Sequence, residues 1–589
     1  MFESTKRPLP GHSLFNAMPV AFAAMLLIGC RPATDPPEPV SFEPADLVLT
    51  NGKIYTVDAS MPWAEAVAIR DGRIAAAGDA EDAPGWTDAE TRVVDLGGKL
   101  VLPAFGDAHI HPTLGGLTFS QCSMHRGENV EEYLQIIASC NAESPGTGVL
   151  YGRGWAPGLF PPDGVPRKEL LDAISTDRPL VFSSTGGHSL WVNSKALELA
   201  GIARDTPDPP NGRIDRDPAT GEPIGGLQEA AKDLMMAHVP PPTVEAMEHA
   251  LAYTADHLNR LGVTQWLDAG VGVVPVPKRQ ILEAYKAVRD HGKLNVHVAL
   301  SLKWENELGL EQLPGLLETA ELARAMGFKA DSIKLYIDGV IAQRTAAMLE
   351  PYSDSPGEKG ELQIPPDVFY QAVTELDKLG FQAYVHAIGD RATRTALDAF
   401  AAAREKNGTT DNRHMIAHLN VISPADLPRF GELDVIANFQ PLWATMNPYI
   451  EMTAVRVGPE RMAYHYPSKS MLDAGAMLAY GADWPVASAN PLEGIEVALT
   501  RKNPGAGGGE PLLPHEGVTL EEAIQAYTIN AAYASHLEVE TGSITPGKSA
   551  DLIVLDQDIF AIPVHEISDT RVLLTLFRGA AVHDELPAF

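Results

Sequence analysis

Along the middle of the chain, apolar runs of four to eight residues alternate with longer stretches in which apolar positions return every third or fourth residue. The first pattern fits buried strands, the second amphipathic helices. Eight β-type runs stand out, at 104–111, 264–269, 294–300, 332–338, 382–387, 414–419, 435–439 and 477–482. Helical stretches such as 244–261 and 368–379 separate most of them. Eight βα units in succession predict an α/β fold, a (β/α)8 TIM barrel. Its crossovers should be right-handed and its site should lie at the C-terminal strand ends. One gap, 112–242, is too long for a connection and carries apolar runs of its own at 148–152 and 180–184. It is expected to form an insertion that acts as a lid or small subdomain over the barrel mouth.

The flanks have a different pattern. Short β runs at 47–49, 53–57, 66–69 and 92–96 are punctuated by Asn51-Gly52, Asp71-Gly72 and Gly97-Gly98, pairs that favour hairpin turns. Similar runs return at 550–555 and 572–577. The two ends therefore predict one small β-sandwich. The expected order is 46–102 sandwich, 103–514 barrel with its insertion, and 515–589 terminal helix and sandwich.

Composition adds exclusions. The 589 residues are 45% hydrophobic and 21% charged, as in ordinary globular proteins, so a disordered or collagen-like chain is excluded. With 77 Asp+Glu against 45 Lys+Arg the net charge is −32, which argues against a nucleic-acid partner. If that acidity rings a site mouth, it would disfavour anionic substrates. The N-terminus has Lys6 and Arg7, a mostly apolar stretch at 14–28, and Leu27-Ile28-Gly29-Cys30. Interrupted by Asn16 and Pro19, the stretch is a poor spanning helix. It resembles a bacterial lipoprotein signal, 1–29, with Cys30 as the lipidated residue and 30–45 as a proline-rich tether. A plain secretory signal or a buried helix is the alternative. The lipoprotein reading places the chain in the cell envelope, periplasm-facing or extracytoplasmic, and touching the membrane only through its lipid. There the remaining cysteines, Cys122 and Cys140, can persist as a disulfide.

Candidate chemistry clusters at the predicted strand ends. Asp107-Ala108-His109-Ile110-His111 ends the first strand, and alternation puts both imidazoles on one face, where they can meet one metal ion. A His-x-His alone also occurs in exposed turns. His386, His418 and Asp483 then follow at the fifth, sixth and eighth strand ends. Lys334 lies within the fourth strand between apolar neighbours, a costly place for a cation that nothing neutralises.

With these positions together, the chain resembles the amidohydrolase superfamily. The wording around them is similar to its YtcJ-like branch, amidohydrolase family 3, which includes N-substituted formamide deformylases. The matching segments surround Leu102–His111, Lys334-Leu335-Tyr336-Ile337-Asp338-Gly339, His386-Ala387-Ile388-Gly389-Asp390-Arg391 and Gly481-Ala482-Asp483-Trp484-Pro485. Ala104 and Ala417 depart from the usual residues without removing a ligand. The resemblance implies that His109, His111 and Asp483 hold one divalent ion, and His386 with His418 a second. A carboxylated Lys334 would bridge them. Zinc is expected, with iron or manganese as alternatives; a mononuclear site with unmodified Lys334 is the other form.

Asp483 would also act as the proton carrier. His188, in Gly186-Gly187-His188-Ser189, would reach the substrate oxygen or else serve as a cap or core residue. Trp155 and Asp338 are candidates near the substrate. Trp443 and Trp484 are read as core, and His249, His257, His291 and His536 as surface residues on helices. The expected activity is hydrolysis of an amide, formamide or cyclic amide by a metal-activated water, and the resemblance implies a homodimer. The competing classes are a non-catalytic lipoprotein binding small molecules, and a metal-dependent isomerase or hydratase.

Overall fold

Eight parallel strands form the centre of the molecule in a computed structural model describing residues 43–119, 122–125, 127–144, 146–505 and 509–587. The expected signal 1–29, the lipidation site Cys30 and the tether through residue 42 lie outside the described residues. The strands are β1 (Phe105–Ile110), β2 (Val263–Val271), β3 (His297–Lys303), β4 (Lys329–Tyr336), β5 (Gln382–Ala387), β6 (Met415–His418), β7 (Ile436–Phe439) and β8 (Met477–Tyr480). They pair in chain order, β1 to β8. Just past β8 the sheet meets its first strand. Asp483 N–H donates to the His109 carbonyl at 2.7 Å, and His111 N–H donates to the Trp484 carbonyl at 3.0 Å. Gly481 permits that approach, because a Cβ there would lie 2.3 Å from the His109 nitrogen.

Helices pack outside the strands. Lys278–Asp290 buries Ile281, Leu282, Tyr285 and Val288, one face at helical spacing. Val244–Arg260 starts where the Thr243 hydroxyl accepts from Ala246 N–H at 3.1 Å. One buried cluster of strand residues combines small side chains, Ala108, Ala269, Ala299, Ala417 and Ala479, with the larger Leu267, Tyr384, Met415 and Ile436. Against these pack Ala531, Ala532 and Ala534 of the short helix Ile529–Ala534.

Two β strands sit later or earlier than their apolar runs suggest. β3 begins at His297 rather than 294, and β4 at Lys329 rather than 332. Leu294 and Val296 are buried in the main core but precede the ladder, whose register starts where His297 faces Gln265. Burial, which the apolar pattern reports, and sheet pairing therefore do not coincide there.

Two further sheets pack as a sandwich from the chain ends. One holds Leu47–Thr50, Ala66–Arg70, Arg73–Gly78 and Arg92–Asp95; the other holds Lys53–Tyr55, Trp63–Ala64, Leu100–Pro103, Leu552–Leu555, Val572–Phe577 and Ala580–Asp584. Leu49, Val67, Val101, Leu552 and Leu574 share the core between them. Of the three turn pairs, only Asp71-Gly72 closes a hairpin. The expectation for Asn51-Gly52 and Gly97-Gly98 is corrected: at both, the chain passes from the first sheet to the second, with 47–50 parallel to 92–95 and 53–54 parallel to 100–101. The positive φ that favours Asn and Gly is needed at a sheet-to-sheet corner as much as at a hairpin.

The sandwich is tied to the barrel by a buried pair. His297 Nε2, at the start of β3, lies 2.7 Å from Asp551 Oδ2, and Asp551 Oδ1 accepts from Ser549 Oγ and Arg578 N–H. Burial would raise this carboxyl, but the His297 bond and the other donors outweigh it and hold the group below its ordinary range. A depressed carboxylate stabilises fully above its unfolded pKa and loses that contribution as pH falls through the lower native value. Asp551→Ala is therefore expected to cost about 3 kcal/mol near neutrality. The gap in thermal midpoint from the unmodified chain should be full above about pH 4 and narrow progressively as pH falls below it; a gap that stays constant with pH would refute the pairing.

The insertion after β1 forms a six-stranded mixed sheet, in the order Gly212–Arg216, Pro223–Glu229, Ser189–Val192, Leu180–Ser184, Leu150–Trp155 and Cys122–Ser123. Cys122 and Cys140 are disulfide-bonded, their Cα atoms 5.7 Å apart. Among the described residues no helix is long and apolar enough to cross a membrane.

Candidate metal centre

The strand ends bring the expected ligands together. On β1 the Asp107 carboxylate accepts from His109 N–H at 2.9 Å and from Ala482 N–H at 3.2 Å, so one buried side chain joins the two ends of the sheet. Burial raises this carboxyl to about 8. Asp483 Oδ1 then lies 3.1 Å from His111 Nε2 and 3.5 Å from His109 Nε2. Lys334 Nζ is 3.4 Å from the same His109 nitrogen. The His418 ring is centred 4.7 Å from that of His109 and 4.6 Å from that of His386.

Hydrogen bonds behind the rings decide which nitrogens face inward. Asn438 Nδ2 donates to the Ala108 carbonyl at 3.1 Å, which leaves Asn438 Oδ1 to accept from Gln440 Nε2 at 2.8 Å. Gln440 Oε1 can then only accept, so the His418 Nδ1 at 2.8 Å carries the proton and Nε2 is a lone pair. His386 Nε2 faces the Gly339 carbonyl at 3.3 Å and is the protonated nitrogen by the same reasoning, which frees Nδ1. The Tyr384 hydroxyl bonds His109 Nδ1 and donates to the Ala108 carbonyl at 3.3 Å, which leaves His109 Nε2 free. Burial first, then neighbouring cationic groups including Lys334, hold His109, His386 and His418 well below the ordinary imidazole range. They are neutral, as ligands must be. Burial also brings Lys334 down to about 7, against the opposing pull of Asp483.

This donor set fits a metal. Asp483 Oδ1 is buried with no hydrogen-bond partner, although two imidazole nitrogens face it. On His109 that nitrogen is a lone pair, so it and the carboxylate oxygen converge with no proton between them and repel one another until a cation takes them up. His109, His418 and Asp483 place ligand atoms within 4.8 Å of one another, close enough for one ion. His111, His386 and Lys334 surround that trio.

The ligands form the floor of a cavity of about 1440 Å³ whose roof comes from the insertion. His188 lines it, with Nδ1 3.0 Å from Glu229 Oε2 and its ring centred 5.4 Å from that of His386. Glu229 also accepts from the Thr345 hydroxyl at 3.0 Å. Trp155 is not at the cavity wall. It is fully buried in the insertion's own core, with its indole N–H bonded to the Phe182 carbonyl at 2.9 Å, because the irregularity at Gly154, between Arg153 and Trp155, breaks the alternation that would have kept it on the face of Arg153. Asp338 is likewise no substrate contact. Fully buried, it accepts from the backbone N–H groups of Ala347, Ile388 and Gly389 at 2.9–3.0 Å, and so shapes the loop after β5.

Trp484 belongs to the main core, as read, and also lines the cavity beside Phe119; Trp443 is only partly buried against that core, lines the cavity and stacks on His418 at 5.2 Å. His257 also lines the cavity, in ring contact with Trp484 at 5.7 Å, whereas His249 and His291 are exposed and His536 is half-buried past its helix. Asp107, Glu229, Tyr384 and Gln440 were not singled out from the sequence. Asp107, two residues before His109, had a local signal; the partners of the others lie 22 to 275 residues away.

The model of the amidohydrolase family matches residues 92–583. The chain is 31% identical to the protein LONG AFTER FAR-RED 3 of Arabidopsis thaliana, over 92% of each chain. It is 28% identical to an N-substituted formamide deformylase of Arthrobacter pascens, over 91% of this chain and 97% of that one. The crystal structure of an uncharacterized metal-dependent hydrolase from Pyrococcus horikoshii superposes with a TM-score of 0.68 at 26% identity, covering 88% of this chain and 99% of the other. A barrel with this strand-end constellation, matched from the first sandwich sheet to the last strand, makes the chain a member of the amidohydrolase family.

Proposed function

We propose that the protein is a metal-dependent hydrolase that cleaves a C–N bond in an amide, formamide or cyclic amide. The observation that carries this reading is the unpaired Asp483 carboxylate, held among neutral histidines at the floor of a roofed cavity. His109, His111 and Asp483 would hold one divalent ion, zinc by preference, and His386 with His418 a second. A carboxylated Lys334 would lie between them, and the burial that disfavours its ammonium form supports this. Metal bound there supplies a water of lowered pKa and a Lewis acid for the carbonyl.

The chain's own residues supply the rest. Asp483, at the cavity floor, takes the proton released from water and passes it to the departing nitrogen, which cannot leave as an amide anion. His188 is held by Glu229 through Nδ1, so its Nε2 faces the cavity and can steady the substrate oxygen. Trp443 and Trp484 wall off water beside the ligands. For location, the Cys122–Cys140 disulfide and the Cys30 signal together support an envelope protein anchored by lipid.

The test is product analysis. Purified protein loaded with zinc and offered a panel of amides, formamides and lactams should release amine and carboxylate in equal amounts, except from lactams, which should open to a single amino acid. A chelator should abolish both. An isomerised or hydrated product with its C–N bond intact would refute the reading, as would binding without turnover across the panel.

A further inference from the structure

The cavity roof holds a cation that the proposed chemistry does not use. Arg153 comes from the insertion strand Leu150–Trp155, lines the cavity and is only 5% exposed. Among the described residues no carboxylate forms an ion pair with it. Its Nε has no hydrogen-bond partner, and Nη2 reaches only the Thr185 carbonyl, at 3.3 Å. Of the carboxylates that line the cavity, Glu229 is engaged by His188 and Thr345, Glu305 by Lys278 and Lys303, and Asp233 lies beside Lys232. A guanidinium buried this far without a counter-charge is costly, and the fold offers it none.

A second cation converges on the same place. Lys232 donates from Nζ to the Gly187 carbonyl, and a Cβ at Gly187 would lie 3.2 Å from Arg153 Nη2. Both therefore flank the turn that leads into His188, whose ring adjoins the metal ligand His386. Burial, then the charge of Arg153, holds the adjoining His125 down to about 4, so that ring stays neutral rather than adding a third cation. The carboxylates of Glu229 and Asp233 act on Lys232, whereas Arg153 has no ion-pair partner among the described residues.

We infer that the substrate carries a carboxylate, which Arg153 binds with help from Lys232 while the scissile amide lies against the metal ligands beyond His188. The substrates would be N-acyl amino acids or other amides with an acid group near the C–N bond. This deepens the hydrolase reading and rests on it for the bond cleaved, but not for the anion site. Guanidinium geometry suits a carboxylate, offering two parallel N–H donors.

The test uses pairs of ligands differing only in the acid: N-formyl and N-acetyl amino acids, each against the N-acylated amine that lacks the carboxylate. Binding is measured by calorimetry on the metal-loaded chain carrying Asp483→Asn, so that turnover does not intrude. In at least one pair the acid should bind about 10- to 100-fold more tightly, the range for a charge-assisted bond. Arg153→Gln should remove that preference while leaving the neutral member within about threefold. Lys232→Gln, at a less buried site, should reduce the preference in part and covers the case in which Arg153→Gln does not fold. Equal binding within every pair would overturn the inference. So would an Arg153→Gln effect that weakens both members alike, which would make Arg153 a prop for the 185–187 turn. Arg153-dependent binding of acids without amine release by the Asp483 protein would instead sink the hydrolase reading and leave the anion site standing.

Discussion

Turnover by the Asp483→Asn protein is expected to fall by about 10³- to 10⁴-fold, with KM changed little. The loss is of the size seen when a positioned proton carrier is removed. Asn can still occupy the space beside His109 and His111, and its oxygen can still face them, so the cavity should keep its shape. What it lacks is a titratable proton for the departing nitrogen and the charge Asp483 would lend the metal, so the two proteins are compared at equal metal content. A substrate whose leaving amine is already a weak base needs that proton less. The deficit should therefore shrink along a series of anilides with increasingly acidic anilines. A rate within tenfold of the unmodified enzyme, or a deficit independent of the leaving group, would remove Asp483 from the proton path.

Metal content should separate the two forms of the centre. The unmodified protein is expected to hold about two ions per chain, the number that lets one ion activate water and the other polarise the carbonyl. His109→Ala combined with His111→Ala should release at least one of them. Lys334→Met, which keeps the buried stem but has no nitrogen to carboxylate, should leave about one ion and lower turnover by at least about 100-fold. Elemental analysis per chain, alongside circular dichroism to verify folding, reads both variants. One ion in the unmodified protein that Lys334→Met does not change would keep hydrolysis and discard the bridge. None at all, after purification without chelator, would end the metal reading.

The family and the positions of the candidate ligands were legible in the chain because each lies inside a short segment whose pattern is local. His109 and His111 are two residues apart at a strand end, and His386, His418 and Asp483 each close a short apolar run. Strand alternation and the βα period then place such residues at one rim of a barrel whatever the loops do. The aromatic residues were misplaced for the opposite reason. Trp155 and Trp443 are equally apolar and equally close to glycine or proline turns, yet one fills the insertion's core and the other stacks on His418. Trp155 meets Phe160 close by in the chain, but its indole bonds a carbonyl 27 residues away, and Trp443 meets a ring that closes a different barrel strand.

The chain by itself determined the barrel, the sandwich built from its two ends, and the six side chains that converge at the strand ends. Those follow from periodicities of two and about 3.6 and from the handedness of βα connections, all of which are local. Only the tertiary structure decided what faces the ligands. His188 and Glu229 meet across 41 residues, the Glu229 carboxylate and the Thr345 hydroxyl across 116, and Arg153 is left without a counter-charge in the roof. A buried charge takes its meaning from what lies within a few ångströms of it, and folding sets that distance independently of separation along the chain.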